Sequence, residues 1–101
     1  MGYFVVYALD APGKSSARVE NRAAHRARLR KHDHPLTVKI AGPMLDGEGE
    51  MCGTMLVVEA ETHADVKIYL DGDPYAQAGV YDSVTIHPYH WGLGQPEEKH
   101  G

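Results

Sequence analysis

An α+β fold with the element order β-α-β-β-α-β is predicted for this 101-residue chain by three observations. Four segments carry strand character and two carry helix character, and clusters of Gly, Pro and Asp separate them. The first and third strand segments are apolar on both faces, whereas the second and fourth alternate, as central and edge strands of one sheet should. An apolar fraction of 43% supports one core, and no shift in composition divides the chain into two.

The first strand is residues 3–9, rich in β-branched and aromatic side chains and closed by Asp10-Ala11-Pro12-Gly13. Residues 15–31 contain no Gly or Pro, are dominated by Ala and Arg, and precede Pro35, so they are predicted helical. Asn21 is a good N-cap, which allows a short turn at residues 15–20 followed by a main helix from Arg22. Residues 36–41 alternate as a half-buried strand and stop at Gly42-Pro43. A Gly- and Asp-rich loop leads to a third strand at residues 54–60, making a hairpin. Thr62 and Asp65 have capping-box spacing, and Val66, Tyr69 and Leu70 share a face of a short helix that Asp71-Gly72-Asp73-Pro74 ends. Residues 80–87 alternate as the fourth strand until Pro88, leaving residues 89–101 as a tail after a domain of residues 1–88.

The compact solution for this order is a ferredoxin-like, four-stranded antiparallel sheet in spatial order 4-1-3-2, with both helices on one face. Two-faced central strands then need a second cover. A second copy packing sheet to sheet as a homodimer supplies one, and Tyr89 and Trp91 of the tail supply another. A net charge of −4 without a run of like charges argues against a nucleic-acid partner. The opening residues lack the basic start and long apolar stretch of a signal peptide or membrane helix, so no membrane partner and a cytoplasmic location are expected. Cys52, the single cysteine, is expected as a buried structural thiol.

The chemistry-bearing residues exclude several classes. His32-x-His34 and His87-x-x-His90 are the closest histidine pairs, but no Cys or carboxylate pattern completes a metal set, and Pro88 interrupts the second pair. No phosphate-binding loop or nucleophile elbow is present, so neither a nucleotide cofactor nor a serine triad is expected. Arg18, Arg22, Arg26, Arg28, Arg30 and Lys31 concentrate basic charge on the first helix. Arg18 and Arg22 share a helical face with His25, a location to which an anionic small molecule would be steered.

Three stretches carry a family resemblance: residues 22–29 (RAAHRARL), residues 41–44 (AGPM) and residues 73–81 (DPYAQAGVY). In that order and spacing they resemble the signature stretches of the YCII-related family, with similarity over residues 3–88. The resemblance implies a dimeric ferredoxin-like fold within the dimeric α/β-barrel group and a pocket whose proposed catalytic pair is a His and an Asp. By motif these are His25 and Asp73, with Gly42, Pro43, Tyr75 and Arg22 as substrate-binding residues. Family members with dehydrochlorinase-type activity suggest a cofactor-free lyase or isomerase acting on a small aromatic or enol-type molecule. A non-catalytic ligand-binding or accessory dimer and a cofactor-free oxygenase are the alternatives.

Geometry attaches a condition to that pair. A helix unbroken from Ser15 puts His25 about 15 Å along its axis, away from the sheet edge where Asp73 is expected. A main helix capped by Asn21 puts His25 in its first turn, beside Gly42 and Asp73. The broken helix is therefore expected. In that position the helix dipole disfavours imidazolium, while the carboxylate orients the ring as a base.

Overall fold

The computed structural model describes residues 2–31 and 35–95. The elements run β1 (Gly2–Asp10), α1 (Ser15–Leu29), β2 (Leu36–Leu45), β3 (Met51–Ala60), α2 (His63–Asp71), α3 (Pro74–Gln77) and β4 (Tyr81–Tyr89). The strands form one antiparallel sheet in the order β2-β3-β1-β4, the ferredoxin-like arrangement the sequence predicts. The His32-x-His34 pair lies outside the described residues, as do residues 96–101 of the expected tail.

Alternation in the two central strands builds the core. Phe4 and Val6 of β1, with Leu56, Val58 and Ala60 of β3, point to the helical side, where Val66, Tyr69 and Leu70 of α2 meet them. Thr62 caps α2 by accepting a hydrogen bond from the Asp65 N–H at 3.1 Å. Arg28 of α1 donates to the Tyr69 carbonyl at 2.7 Å, which satisfies a last-turn acceptor of α2 and ties the two helices together.

Four local expectations need correction. Helix α1 is continuous from Ser15, and Asn21 is an interior residue whose amide donates to the Ala17 carbonyl at 2.8 Å. That back-bond one turn earlier serves Asn21 as well as a cap would. Strand β2 passes through Gly42-Pro43 to Leu45, and β4 passes through Pro88 to Tyr89. Both strands are sheet edges, where a missing N–H removes no necessary ladder bond. A third helix, α3, follows Asp73, which caps it by accepting from the Tyr75 N–H. Cys52 is half-buried within β3 rather than fully buried.

The helix-free face carries Tyr7, Leu9 and Ile40, all exposed, beside half-buried Val5 and Met55. Trp91 folds back at one end of it, with its ring edge-on to Tyr3 at 5.4 Å. Near the opposite end Gly53 is obligatory, because a Cβ there would run into the Ala8 carbonyl oxygen and the Met44 Cε. No helix among the described residues is long and apolar enough to cross a membrane.

Candidate active site

Helix α1 has an unusual inner face. Its fully buried side chains are Arg18 and His25, and of its two large aliphatic residues only Leu29 packs against the core, while Val19 is exposed. A helix that presents polar groups to a sheet cannot close on it as an apolar stripe would. A cavity of about 470 Å³ remains between α1 and the β2 edge.

His25 and Asp73 meet at the inner end of this cavity. His25 Nδ1 lies 2.7 Å from Asp73 Oδ1, and both side chains are almost wholly buried. This contact forms although α1 is unbroken, and the reason is the length of α2. At 1.5 Å per residue its nine residues span about 13.5 Å, whereas strands of this length span about 30 Å. Helix α2 therefore stops part way along the sheet, and Asp73 falls level with the third turn of α1 rather than at the sheet edge. The expectation that His25 needs a first-turn position is thus corrected, and with it the argument from the helix N-terminus.

Asp73 is held on every side. Its Oδ1 also accepts from the Tyr75 N–H at 3.2 Å, and its Oδ2 accepts from the Tyr81 hydroxyl at 3.2 Å. Gly79, at φ 71°, makes the left-handed turn after α3 that brings Tyr81 back to the carboxylate. With the carboxylate on Nδ1, the bonded tautomer donates from Nδ1 and leaves Nε2 as the lone-pair nitrogen. Nε2 has no hydrogen-bond partner among the described residues, and His25 lines the cavity. The Tyr75 ring stacks on the imidazole with centroids 3.9 Å apart and planes 16° from parallel. Ring rotation is thereby blocked.

A second polar cluster supports the first. Arg18 makes a bidentate pair with Asp10, at 2.8 and 2.9 Å, and donates to Thr54 Oγ1 at 2.9 Å. Burial opposes the Arg18 charge, but hydrogen bonding and attraction from Asp10 outweigh it, so the guanidinium is held more firmly protonated than usual. It also lies over the Tyr75 ring, 4.7 Å from the centroid. Burial, and then the Asp73 charge, push the Tyr81 hydroxyl far above the ordinary phenol range. Tyr81 therefore stays a donor to Asp73 at any physiological pH.

Of the residues expected to contact a substrate, Arg22, Gly42, Pro43 and Tyr75 all line the cavity with His25, whereas Asp73 sits behind His25 and does not. Sequence reasoning did not single out Tyr81, Thr54 or the Asp10–Arg18 pair as parts of this site. No group of three or more His, Cys, Asp and Glu side chains placed to hold a metal ion occurs among the described residues.

Comparison with known proteins adds the following. Residues 2–90 match the family model described as the YCII-related domain. Protein YciI of Escherichia coli is 33% identical over 92 residues, covering 85% of this chain and 94% of that protein. An uncharacterized protein of Haemophilus influenzae is 30% identical over 93 residues, covering 86% and 95%. Among solved structures, 5-chloro-2-hydroxyhydroquinone dehydrochlorinase, TftG, of Burkholderia phenoliruptrix, in complex with 2,5-dihydroxybenzoquinone, is similar at a TM-score of 0.77 and 28% identity, covering 87% of this chain and 93% of that one. The C-terminal domain of MgtC from Mycobacterium tuberculosis, at a TM-score of 0.55 and 12% identity over 94% of this chain and 95% of that one, shares the fold alone.

Proposed function

The chain belongs to the YCII-related family, and from that premise we propose that it is a small enzyme that moves a proton on a hydroxylated aromatic or enol-type molecule, with His25 as general base. The observation that carries this proposal is the 2.7 Å bond from His25 Nδ1 to a buried carboxylate, with Nε2 left unpartnered on a residue that lines the cavity. A base so arranged is oriented, held in one tautomer and stabilised once protonated. Resemblance to a dehydrochlorinase favours elimination as the reaction class. In such a step a substrate O–H proton passes to Nε2 and is returned to the carbon bearing the leaving group, which gives the keto form. A second ring hydroxyl then gives its proton to the freed Nε2 as the leaving group departs with its electron pair, which forms the quinone. The substrate loses H–X, and no external oxidant or reductant takes part.

Asp73 serves as the positioning residue, and Gly42 and Pro43 of β2 form the wall opposite His25. A second copy covers the helix-free face, joined through Tyr7, Leu9 and Ile40. The experiment is turnover of halogenated and non-halogenated hydroxyquinols by the wild type and by His25→Gln, following halide release and quinone absorbance. Halide release that falls at least about a hundredfold in the variant supports the proposal. Binding without turnover by the wild type sinks it in favour of a ligand-binding role.

A further inference from the structure

Helix α1 carries Arg18, Arg22 and Arg26, its C-cap residue Arg30 continues the four-residue spacing, and all four line the cavity. Lys39 joins them from β2, where the register shifts between Val38 and Ile40 and makes Lys39 the extra residue of a bulge. Among the described residues no Asp or Glu lines this cavity, in a chain whose net charge is −4. Two of the five cations are already answered, Arg18 by Asp10 and Lys39 by Glu59 at 3.6 Å. Arg22, Arg26 and Arg30 have no carboxylate within ion-pair distance among the described residues.

Like charges one turn apart weaken a helix unless something opposite offsets them. The only acidic residue of α1 is Glu20, which is exposed and does not line the cavity. A row of arginines is therefore left facing a cavity at a local electrostatic disadvantage, which a bound anion would remove. We propose that the ligand of this site carries a carboxylate, held by Arg22, Arg26 and Arg30, next to the hydroxyl that faces His25. This deepens the proposed function by naming the substrate class, and it rests on His25 marking the reacting end.

The spacing fixes how compact that molecule is. His25 lies between Arg22 and Arg26 in the chain, about 4.5 Å or less along the helix axis from either, and Arg30 is about 7.5 Å further along. One aromatic ring spans such a gap, so a hydroxylated aromatic acid fits, with its hydroxyl at Nε2 and its carboxylate against the arginine row. Guanidinium groups suit this task because their planar forks pair with carboxylates bidentately.

The test compares salicylate with phenol, which differ by the carboxylate alone, by calorimetric titration of the wild type, the Arg22→Gln/Arg26→Gln double variant and His25→Gln. Salicylate is expected to bind the wild type roughly tenfold or more tightly than phenol at low ionic strength. That preference should shrink to about threefold or less in the double variant and at high salt, which screens exposed charge. It should survive in His25→Gln. Equal affinity for the two probes, or a preference that neither salt nor the double variant reduces, overturns the proposal. Because the salt arm uses unmodified protein, the result does not depend on how the variant folds. Turnover that requires His25 without any carboxylate preference removes only the arginine assignment. A carboxylate preference in a protein whose turnover ignores His25 removes only the base.

Discussion

Replacing Asp73 by Asn changes one oxygen of a side chain that accepts three hydrogen bonds. Asn caps helices about as well as Asp, but Oδ1 accepts from both His25 Nδ1 and the Tyr75 N–H, so the cap bond at the start of α3 survives only while the amide oxygen stays on that side. The amide can also exchange a hydrogen bond with the Tyr81 hydroxyl, which both donates and accepts. What is lost is the charge on the acceptor of the His25 bond. Bonds to charged groups contribute about 1.5–3 kcal/mol and neutral ones about 0.5–1.5, so Asp73→Asn should destabilise the fold by about 1–2 kcal/mol. For a domain of this size that lowers Tm by about 5–15 °C in thermal denaturation. The catalytic effect should be much larger. An amide can turn its NH₂ toward Nδ1, which makes Nδ1 the acceptor and puts the proton on Nε2, where a base needs a lone pair. On any substrate the wild type turns over, kcat should fall by about a hundredfold or more. A Tm loss in that range with kcat within about twofold of wild type would show that the pair is structural and refute the reasoning.

Other outcomes follow from the same contacts. The Tyr81 hydroxyl is raised by burial and then by the Asp73 charge; a raised acid stabilises the fold below its unfolded pKa of about 10 and loses that contribution as pH climbs above it. Denaturant titrations should therefore show stability declining above about pH 10, and Tyr81→Phe should flatten part of that decline. A part should remain, because Tyr69 is also raised, by burial first. Truncating Arg18 to Ala strands Asp10 beside Thr54 in a buried setting and should cost about 3–5 kcal/mol in urea unfolding, whereas the Arg18→Met/Asp10→Leu double variant should recover much of it. If the helix-free face is the seam between two copies, light scattering at micromolar concentration should return twice the chain mass, and a monomeric mass would reject that seam.

How far the sequence disclosed the molecule depends on which layer is considered. The sheet order was legible because β1 and β3 are apolar on both faces and β2 and β4 are not, a pattern that burial of the central strands imposes. Edge prolines misled in a regular way. Pro43 and Pro88 read in the sequence as strand ends, yet each sits inside an edge strand, where a proline's missing N–H can face away from the sheet. Asn21 competed as a cap on propensity alone, whereas its amide is satisfied within the helix.

Arg22, His25, Gly42, Pro43 and Tyr75 of the cavity wall were legible from motifs, but the layout around them was not. The contact between His25 and Asp73 depends on α2 ending part way along the sheet, a consequence of its nine-residue length that spacing rules alone do not deliver. Nothing in the basic row of the first helix singles out Arg18 for burial. One signal pointed the other way: residues 15–29 offer Val19 and Leu29 as their only large aliphatic side chains. A helix without an apolar stripe, in a chain this small, has to bury something polar against its sheet.

The central claim is that Asp73 holds His25 as the Nδ1-protonated tautomer, with the Nε2 lone pair toward the cavity. Nitrogen-15 NMR of imidazole-labelled protein at neutral pH tests it most directly, with His25→Gln assigning the resonances. The predicted result is a protonated Nδ1 and an unprotonated Nε2 for His25, reversed or averaged in Asp73→Asn. A wild-type His25 protonated on Nε2, or one whose tautomer ignores the Asn substitution, would contradict the account.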